Sequence, residues 1–342
     1  MQNSTKILLV YTGGTIGMMK DFETGALKAF NFNKLLQKIP ELKQLPCEIE
    51  TISFEKPIDS SNINIEKWVQ LAHIIENNYP DFDGFVVLHG SDTMSYSASA
   101  LSFMLENLSK PVVFTGSQLP IGDLRTDAKE NLITAIQIAS LHENRQPKIA
   151  EVCLYFEYKL YRGNRTTKIN AEHFNAFASP NFPALAESGV HLIVNNQIEK
   201  KPTSSKKLLV HKNFDDNVVV LRLFPGINKN VLSAILNIQN LKGIVLETYG
   251  SGNAPNENWF LELLENSIKN GLQIVNVTQC SGGSVAMGQY ETSTKLKEIG
   301  VISGKDITTE AAITKLMYLL GLNVAATKFK TLFETSLRGE ME

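Results

Sequence analysis

Three apolar runs of this chain stop abruptly in glycine and hydroxyl residues. Lys6-Ile7-Leu8-Leu9-Val10-Tyr11 leads into Thr12-Gly13-Gly14-Thr15, Phe85-Val86-Val87-Leu88 into His89-Gly90-Ser91-Asp92-Thr93, and Pro111-Val112-Val113-Phe114 into Thr115-Gly116-Ser117. A threonine hydroxyl is a weak nucleophile at neutral pH. It attacks an acyl carbon only when a neighbour takes its proton, and the reaction also needs N–H donors where negative charge collects on the carbonyl oxygen. Thr15, Asp59, Ser60, Ser91, Asp92 and Lys168 together contain the parts for acyl transfer on a small zwitterion. Structural explanations compete for each. Ser91, Asp92 and Thr93 could cap a helix beginning near Ser95, and Asp59-Ser60-Ser61-Asn62 could cap one marked by Ile65, Trp68, Val69, Ala72 and Ile75. Tyr161 to Lys168, basic and rich in hydroxyls, reads as a surface hairpin with solvated charges. His89, beside a strand end, reads as a packed, hydrogen-bonded histidine rather than a catalyst.

These residues need a scaffold that brings strand ends together. Uninterrupted apolar runs suit parallel strands covered on both faces, and open α/β sheets bind ligands beyond the carboxyl ends of their strands. Helical spacing at Ser95 to Leu108 and Arg125 to Leu141 alternates with the strands, as does a strand at Glu151 to Phe156. Beyond a proline- and lysine-rich stretch, further strands at Val218 to Phe224, Gly243 to Tyr249 and Leu272 to Val277 alternate with helices at Val231 to Ile238 and Trp259 to Lys269. The pattern predicts two α/β domains with mostly parallel sheets, over 1–196 and 216–342, joined by a linker at 197–215. Met19 to Phe32, polar and broken by Gly25, reads as a loop beside the site, and Leu35, Leu36 and Ile39 as a helix ending at Pro40.

Composition narrows the function classes. A formal net charge of −2 over 342 residues sets up no field that would recruit nucleic acid, and no apolar run is long enough to cross a bilayer. The N-terminal residues lack a secretory pattern, which points to the cytoplasm. Cys47, Cys153 and Cys280 are widely spaced and are expected to be buried free thiols. No phosphate-binding, dinucleotide-binding or HExxH motif occurs, so neither a cofactor nor a metal is expected.

Several segments in order closely resemble the bacterial cytoplasmic, type I L-asparaginases. They are Thr12-Gly13-Gly14-Thr15-Ile16-Gly17, His89-Gly90-Ser91-Asp92-Thr93-Met94, Thr115-Gly116-Ser117-Gln118-Leu119-Pro120 and Tyr161-Arg162-Gly163-Asn164-Arg165-Thr166-Thr167-Lys168. The likeness extends to Phe174-Asn175-Ala176-Phe177-Ala178-Ser179-Pro180-Asn181 and the C-terminal Leu337-Arg338-Gly339-Glu340. It implies a larger N-terminal domain, a smaller flavodoxin-like C-terminal domain, and hydrolysis of L-asparagine to L-aspartate and ammonia through an ester on Thr15. By matching position, Ser91, Asp92 and Lys168 would relay protons and serve the hydrolytic water. Asp59, Ser60 and Ser61 would hold the α-carboxylate and α-amino groups, with Asp92 also facing the ammonium. A homodimer or homotetramer is implied as well. A broader glutaminase-asparaginase, the amidase component of transfer-RNA-dependent amidation, and an amino-acid sensing module that keeps the pocket without the chemistry are the alternatives.

Three departures from the family pattern carry information. Ala26 stands where many members have a tyrosine beside the nucleophile. Glu247 stands where some have an arginine that binds a second asparagine between subunits, although Thr167 and Cys280 match, so a hyperbolic rate curve is expected. Ser91 replaces the usual threonine, keeping the hydroxyl but losing the methyl that restricts χ1. Ser91→Thr is therefore expected to give similar or higher turnover of L-asparagine in an ammonia-release assay; a collapse of activity would refute this account of position 91.

Overall fold

The computed structural model describes residues 4–20, 27–29, 39–144, 146–196, 206–289 and 291–342. They form two compact units, Met1–Lys212 and Asn213–Glu342. The loop expected over 19–32 lies largely outside the described residues, as do Ala26 and the helix expected around Leu35 and Leu36. The described flanks of that loop, Met18–Lys20 and Leu27–Ala29, pair as an antiparallel ladder. Of the expected linker, 197–205 lies outside the described residues. Leu209 and Val210, farther along it, pair with Glu106 and Leu105 of the first unit.

The first unit is built on an eight-stranded sheet, whose strands are β1 (Thr5–Gly13), β2 (Cys47–Ile58), β3 (Gly84–Leu88), β4 (Val112–Thr115), β5 (Val152–Phe156), β6 (Lys159–Arg162), β7 (Ala186–Ser188) and β8 (Leu192–Val194). Their order across the sheet is β8-β7-β6-β5-β4-β3-β1-β2. The five strands from β5 to β2 run parallel, and β6, β7 and β8 extend the sheet antiparallel. β1 explains why its apolar run does not alternate with polar residues. Ile7, Leu9 and Tyr11 enter one core cluster with Leu132, Ala135 and Ile136 of helix Ala128–Ala139, whereas Leu8 and Val10 on the other face are just as buried. The helix expected from Ser95 to Leu108 spans Met94–Met104 and gives way to a short strand, because Leu105 and Glu106 pair with Val210 and Leu209.

Tyr161 to Lys168 corrects the surface-hairpin expectation. Tyr161, Arg162, Asn164, Arg165 and Thr166 are buried. Arg162 is tolerated inside because its Nε lies 2.5 Å from the Glu151 carboxylate, itself buried, and its guanidinium stacks 4.3 Å over the Phe182 ring. The segment is thus clamped to the sheet rather than solvated, and this holds Lys168 at its end.

The second unit carries a four-stranded parallel sheet, β9 (Val218–Arg222), β10 (Gly243–Thr248), β11 (Gln273–Thr278) and β12 (Ile302–Ser303), in that consecutive order. Its C-terminal motif has a packing role. Lys315 and Glu340 form an ion pair with no exposed surface, Lys315 also donating to the carbonyls of Phe333 and Thr335 and Glu340 accepting from the amides of Leu337 and Arg338. Among the cysteines, Cys153 is buried and Cys47 partly so, but Cys280 is exposed, contrary to expectation. It sits in the loop after β11, where its N–H donates to the Thr278 hydroxyl. Among the described residues no helix is long and apolar enough to cross a membrane.

Candidate active site

The register of the parallel strands aligns their carboxyl ends at one edge. Gly13 pairs with Ile58, Tyr11 with Leu88, and Leu88 with Thr115. Thr15, Asp59-Ser60-Ser61, Ser91-Asp92 and Ser117-Gln118 therefore leave the same edge of the sheet from four neighbouring strands.

Close packing of backbone brings the loops nearer than side chains would allow. Gly13 and Gly14 have φ of 138° and 86°, in the region that favours glycine, and the Gly14 N–H donates to the Ile58 carbonyl. A Cβ on Gly14 would lie 2.5 Å from the Gly90 nitrogen, and one on Gly90 would lie 2.6 Å from the Ser60 hydroxyl. Gly14, Gly90 and Ser60 are thus stacked across three strand ends. Thr15 follows as the first residue of a short 3-10 turn, Thr15–Gly17. Thr12 has a structural task, its hydroxyl donating at 2.9 Å to the Leu88 carbonyl.

The helix-capping explanation of Ser91 to Thr93 fails. The turn Ser91–Thr93 precedes helix Met94–Met104, and that helix has no side-chain cap bond. The Thr93 hydroxyl instead donates at 2.8 Å to the Ser60 carbonyl, tying the second and third loops together. Lys168 Nζ donates at 2.9 Å to Ser91 Oγ and at 2.7 Å to Asp92 Oδ1. The Lys168 side chain is 15% exposed and that of Asp92 70%, so the pair opens to solvent on its carboxylate side. Lys168 is delivered by a two-residue strand, Thr167–Lys168, paired with Phe177–Ala178. The structure thus brings Lys168 into direct contact with Ser91 and Asp92, which leave the strand end next to the one that carries Thr15.

Asp59 caps only its own short turn, Ser60–Asn62; the helix marked by Ile65 and Trp68 spans Ile65–Asn78 and is capped instead by Asn64, whose Oδ1 accepts from the Lys67 N–H at 3.0 Å. Asp59 Oδ1 accepts from both the N–H and the hydroxyl of Ser61, each at 2.9 Å. Those bonds, that of the backbone foremost, hold its carboxyl below the ordinary aspartate value. Asp59 and Ser61 are exposed, whereas Ser60 is buried. In the second unit, Glu247 accepts from the Thr309 hydroxyl at 2.7 Å and faces the Arg222 guanidinium at 3.4 Å.

Sequence reasoning assigned no role to Gln118, Asp127 or Asn131. Gln118 Oε1 accepts from Ser91 Oγ at 3.1 Å. The backbone N–H groups of Gln118 and Leu119 donate to the Asp127 carboxylate, and Asn131 donates to the Gly116 carbonyl. Gln118 lies within a segment that carries the family resemblance, which was its available signal. Asp127 immediately precedes, and Asn131 sits on, a helix, Ala128–Ala139, that looks amphipathic and ordinary.

The chain matches the family description "Asparaginase, N-terminal" over residues 6–200 and "Glutaminase/Asparaginase C-terminal domain" over 217–333. It belongs to the asparaginase family. L-asparaginase 1 of Escherichia coli K12 is 42% identical over 336 residues, covering 98% of this chain and 97% of that one. Among solved structures, L-asparaginase I from Vibrio cholerae superposes with a TM-score of 0.90 at 40% identity, covering 99% of each chain. The thermostable L-asparaginase from Thermococcus kodakarensis does so with a TM-score of 0.89 at 34% identity, again covering 99% of each.

Within this asparaginase fold, His89 supports the site without taking part in its chemistry. The Gly90 carbonyl can only accept, so His89 Nδ1, 2.7 Å away, carries the ring proton and donates to it, bracing the residue stacked on Gly14. Nε2 of the neutral ring is then an acceptor, and Ser97 Oγ, which itself accepts from the Trp68 indole at 2.9 Å, donates to it at 2.9 Å. Burial pushes its pKa down from 6.5 to about 4, so the ring is neutral at pH 7. A depressed folded-state value makes this contribution full above pH 6.5 and lost as pH falls through about 4. The loss amounts to about 3 kcal/mol, at 1.36 kcal/mol per unit of pKa shift. In denaturant unfolding measured from pH 7 to pH 4, His89→Gln is expected to flatten the acid decline by about that amount. An unchanged slope would show that His89 does not enter the folded state neutral.

Proposed function

We propose that this protein hydrolyses L-asparagine to L-aspartate and ammonia, with Thr15 as the nucleophile. The observation that carries the reading is the contact of Lys168 Nζ with both Ser91 Oγ and Asp92 Oδ1, on a strand end adjacent to that of Thr15, in a chain of the asparaginase family.

Thr15 Oγ attacks the side-chain amide carbon, its proton passes to the leaving nitrogen, and ammonia departs. The resulting β-aspartyl ester is opened by water, which returns the proton to Thr15. Lys168, Ser91 and Asp92 form the hydrogen-bonded relay that polarises this water; the two oxygen acceptors fix the direction of the ammonium, which lowers the cost of orienting it at each turnover. Asp92, more exposed than its partner, is placed to meet the substrate ammonium with its second oxygen. Asp59, Ser60 and Ser61 receive the α-amino and α-carboxylate groups, with Asp59 kept anionic by the Ser61 donors. The type I likeness further supports a cytoplasmic homodimer or homotetramer, with no nucleic-acid or membrane partner and no cofactor.

The reading is tested by ammonia release from L-asparagine, L-glutamine and D-asparagine by wild type and Thr15→Ala. L-Asparagine is expected to be hydrolysed, and removal of the nucleophile to cost at least about 10³-fold in kcat, in line with other nucleophile deletions. Full turnover by Thr15→Ala would contradict the mechanism, and absence of release from all three amides would contradict the function.

A further inference from the structure

We propose that Gln118 is a positioning residue that fixes the direction of the Ser91 hydroxyl and so sets a one-way order of donation, from Lys168 to Ser91 to Gln118. This inference rests on the relay assigned above and adds a residue to which no role is attached.

The argument is one of donors and acceptors. The Gln118 amide nitrogen lies 3.1 Å from the Ala171 carbonyl and 3.0 Å from the His173 carbonyl. Carbonyl oxygens only accept, so the NH2 end must face them, and the reversed amide would set oxygen against two oxygens. Gln118 Oε1 is thereby committed to Ser91 Oγ, 3.1 Å away. An amide oxygen has no proton, so Ser91 is the donor in that bond. With the single Ser91 proton spent there, Lys168 Nζ, 2.9 Å from the same hydroxyl, is the donor in that second bond. Ser91 thus accepts from Lys168 and donates to Gln118, leaving it no proton for a substrate. It can act on a water or a substrate N–H only as an acceptor.

Gln118 is itself held from behind. Its backbone N–H donates at 2.8 Å to Asp127 Oδ2 and that of Leu119 at 3.1 Å to Oδ1. Asp127 is 6% exposed and is joined at 3.3 Å by Asn131, which also holds the Gly116 carbonyl at 3.0 Å. The chain of contacts from Asp127 through Gln118 to Ser91 bears on the missing methyl at position 91. A serine rotates more freely than a threonine about χ1, and an acceptor fixed on the far side of the hydroxyl restores that restriction.

The test uses steady-state kinetics on L-asparagine and thermal melting of the full chain. Gln118→Met, which keeps length and removes the acceptor, is expected to lower kcat by about tenfold or more while KM changes by less than about threefold, the pattern of misplaced chemistry rather than lost binding. Adding Ser91→Thr to Gln118→Met is expected to recover at least about threefold in kcat, because the methyl restricts the rotor directly. Should Gln118→Met fail to fold, Gln118→Ala decides: it removes the acceptor with the rest of the amide and is expected to show the same loss of kcat and the same recovery on adding Ser91→Thr. Wild-type kcat in whichever of these variants folds, or no recovery on adding Ser91→Thr, would each overturn the inference. If wild type hydrolyses L-asparagine and Thr15→Ala does not, any of these results removes the role of Gln118 alone. If wild type is inactive, the proposed function falls, and this inference with it.

Discussion

The site depends on backbone packed against backbone at the strand ends. Gly14 lies against Gly90, and Gly90 against the Ser60 hydroxyl, at distances that leave no room for a Cβ. Ordinary residues there would hold the loops apart by at least a methyl group, and the strand ends that carry Thr15, Ser60 and Ser91 would lie farther from one another. The arrangement costs conformational entropy, since glycine has more freedom to lose on folding than any other residue. The cost is offset by strands buried on both faces, such as β1, where Ile7 through Tyr11 are almost wholly removed from water.

Around that contact the polar groups divide into two kinds. Those packed behind Gly90 are neutral and committed: Trp68, Ser97, His89 and the Gly90 carbonyl form one chain of bonds with a single proton arrangement. Those in front are charged and partly exposed, with Lys168 between Ser91 and Asp92. This division suits the proposed hydrolysis, because neutral buried groups do not titrate near pH 7, whereas charges open to solvent are accessible to a zwitterion. Arg162 belongs to the scaffold although it is charged. Paired with Glu151 and stacked on Phe182, it anchors the segment that ends in Lys168.

Much of this was legible in the residues, but unevenly. Apolar runs ending in glycine and hydroxyls identified the strands and the edge of the sheet at which chemistry could occur, because burial on both faces leaves a plain sequence signal. The α/β order followed from alternation of periodicities. The burial of Tyr161 to Thr166 was not legible from composition, since an arginine reads as solvated until its carboxylate and aromatic partners are known, and Glu151 and Phe182 lie 11 and 20 residues from it. The competing uses of Asp59 and Ser91 also required coordinates. Asp59 does cap its turn, whereas Ser91 leaves its helix uncapped and turns to Lys168, and short polar clusters look alike in sequence whichever way they point. Gln118 was hidden for a related reason: its role comes from two carbonyls that face its amide.

A crystal structure of the protein with L-aspartate bound tests the central claim most directly. The account predicts the product's β-carboxyl carbon within about 3.5 Å of Thr15 Oγ, a distance from which the reverse attack could begin, with the ammonium on Asp92. Aspartate whose β-carboxyl carbon lies away from Thr15, or whose ammonium meets neither Asp92 nor Asp59, would contradict it.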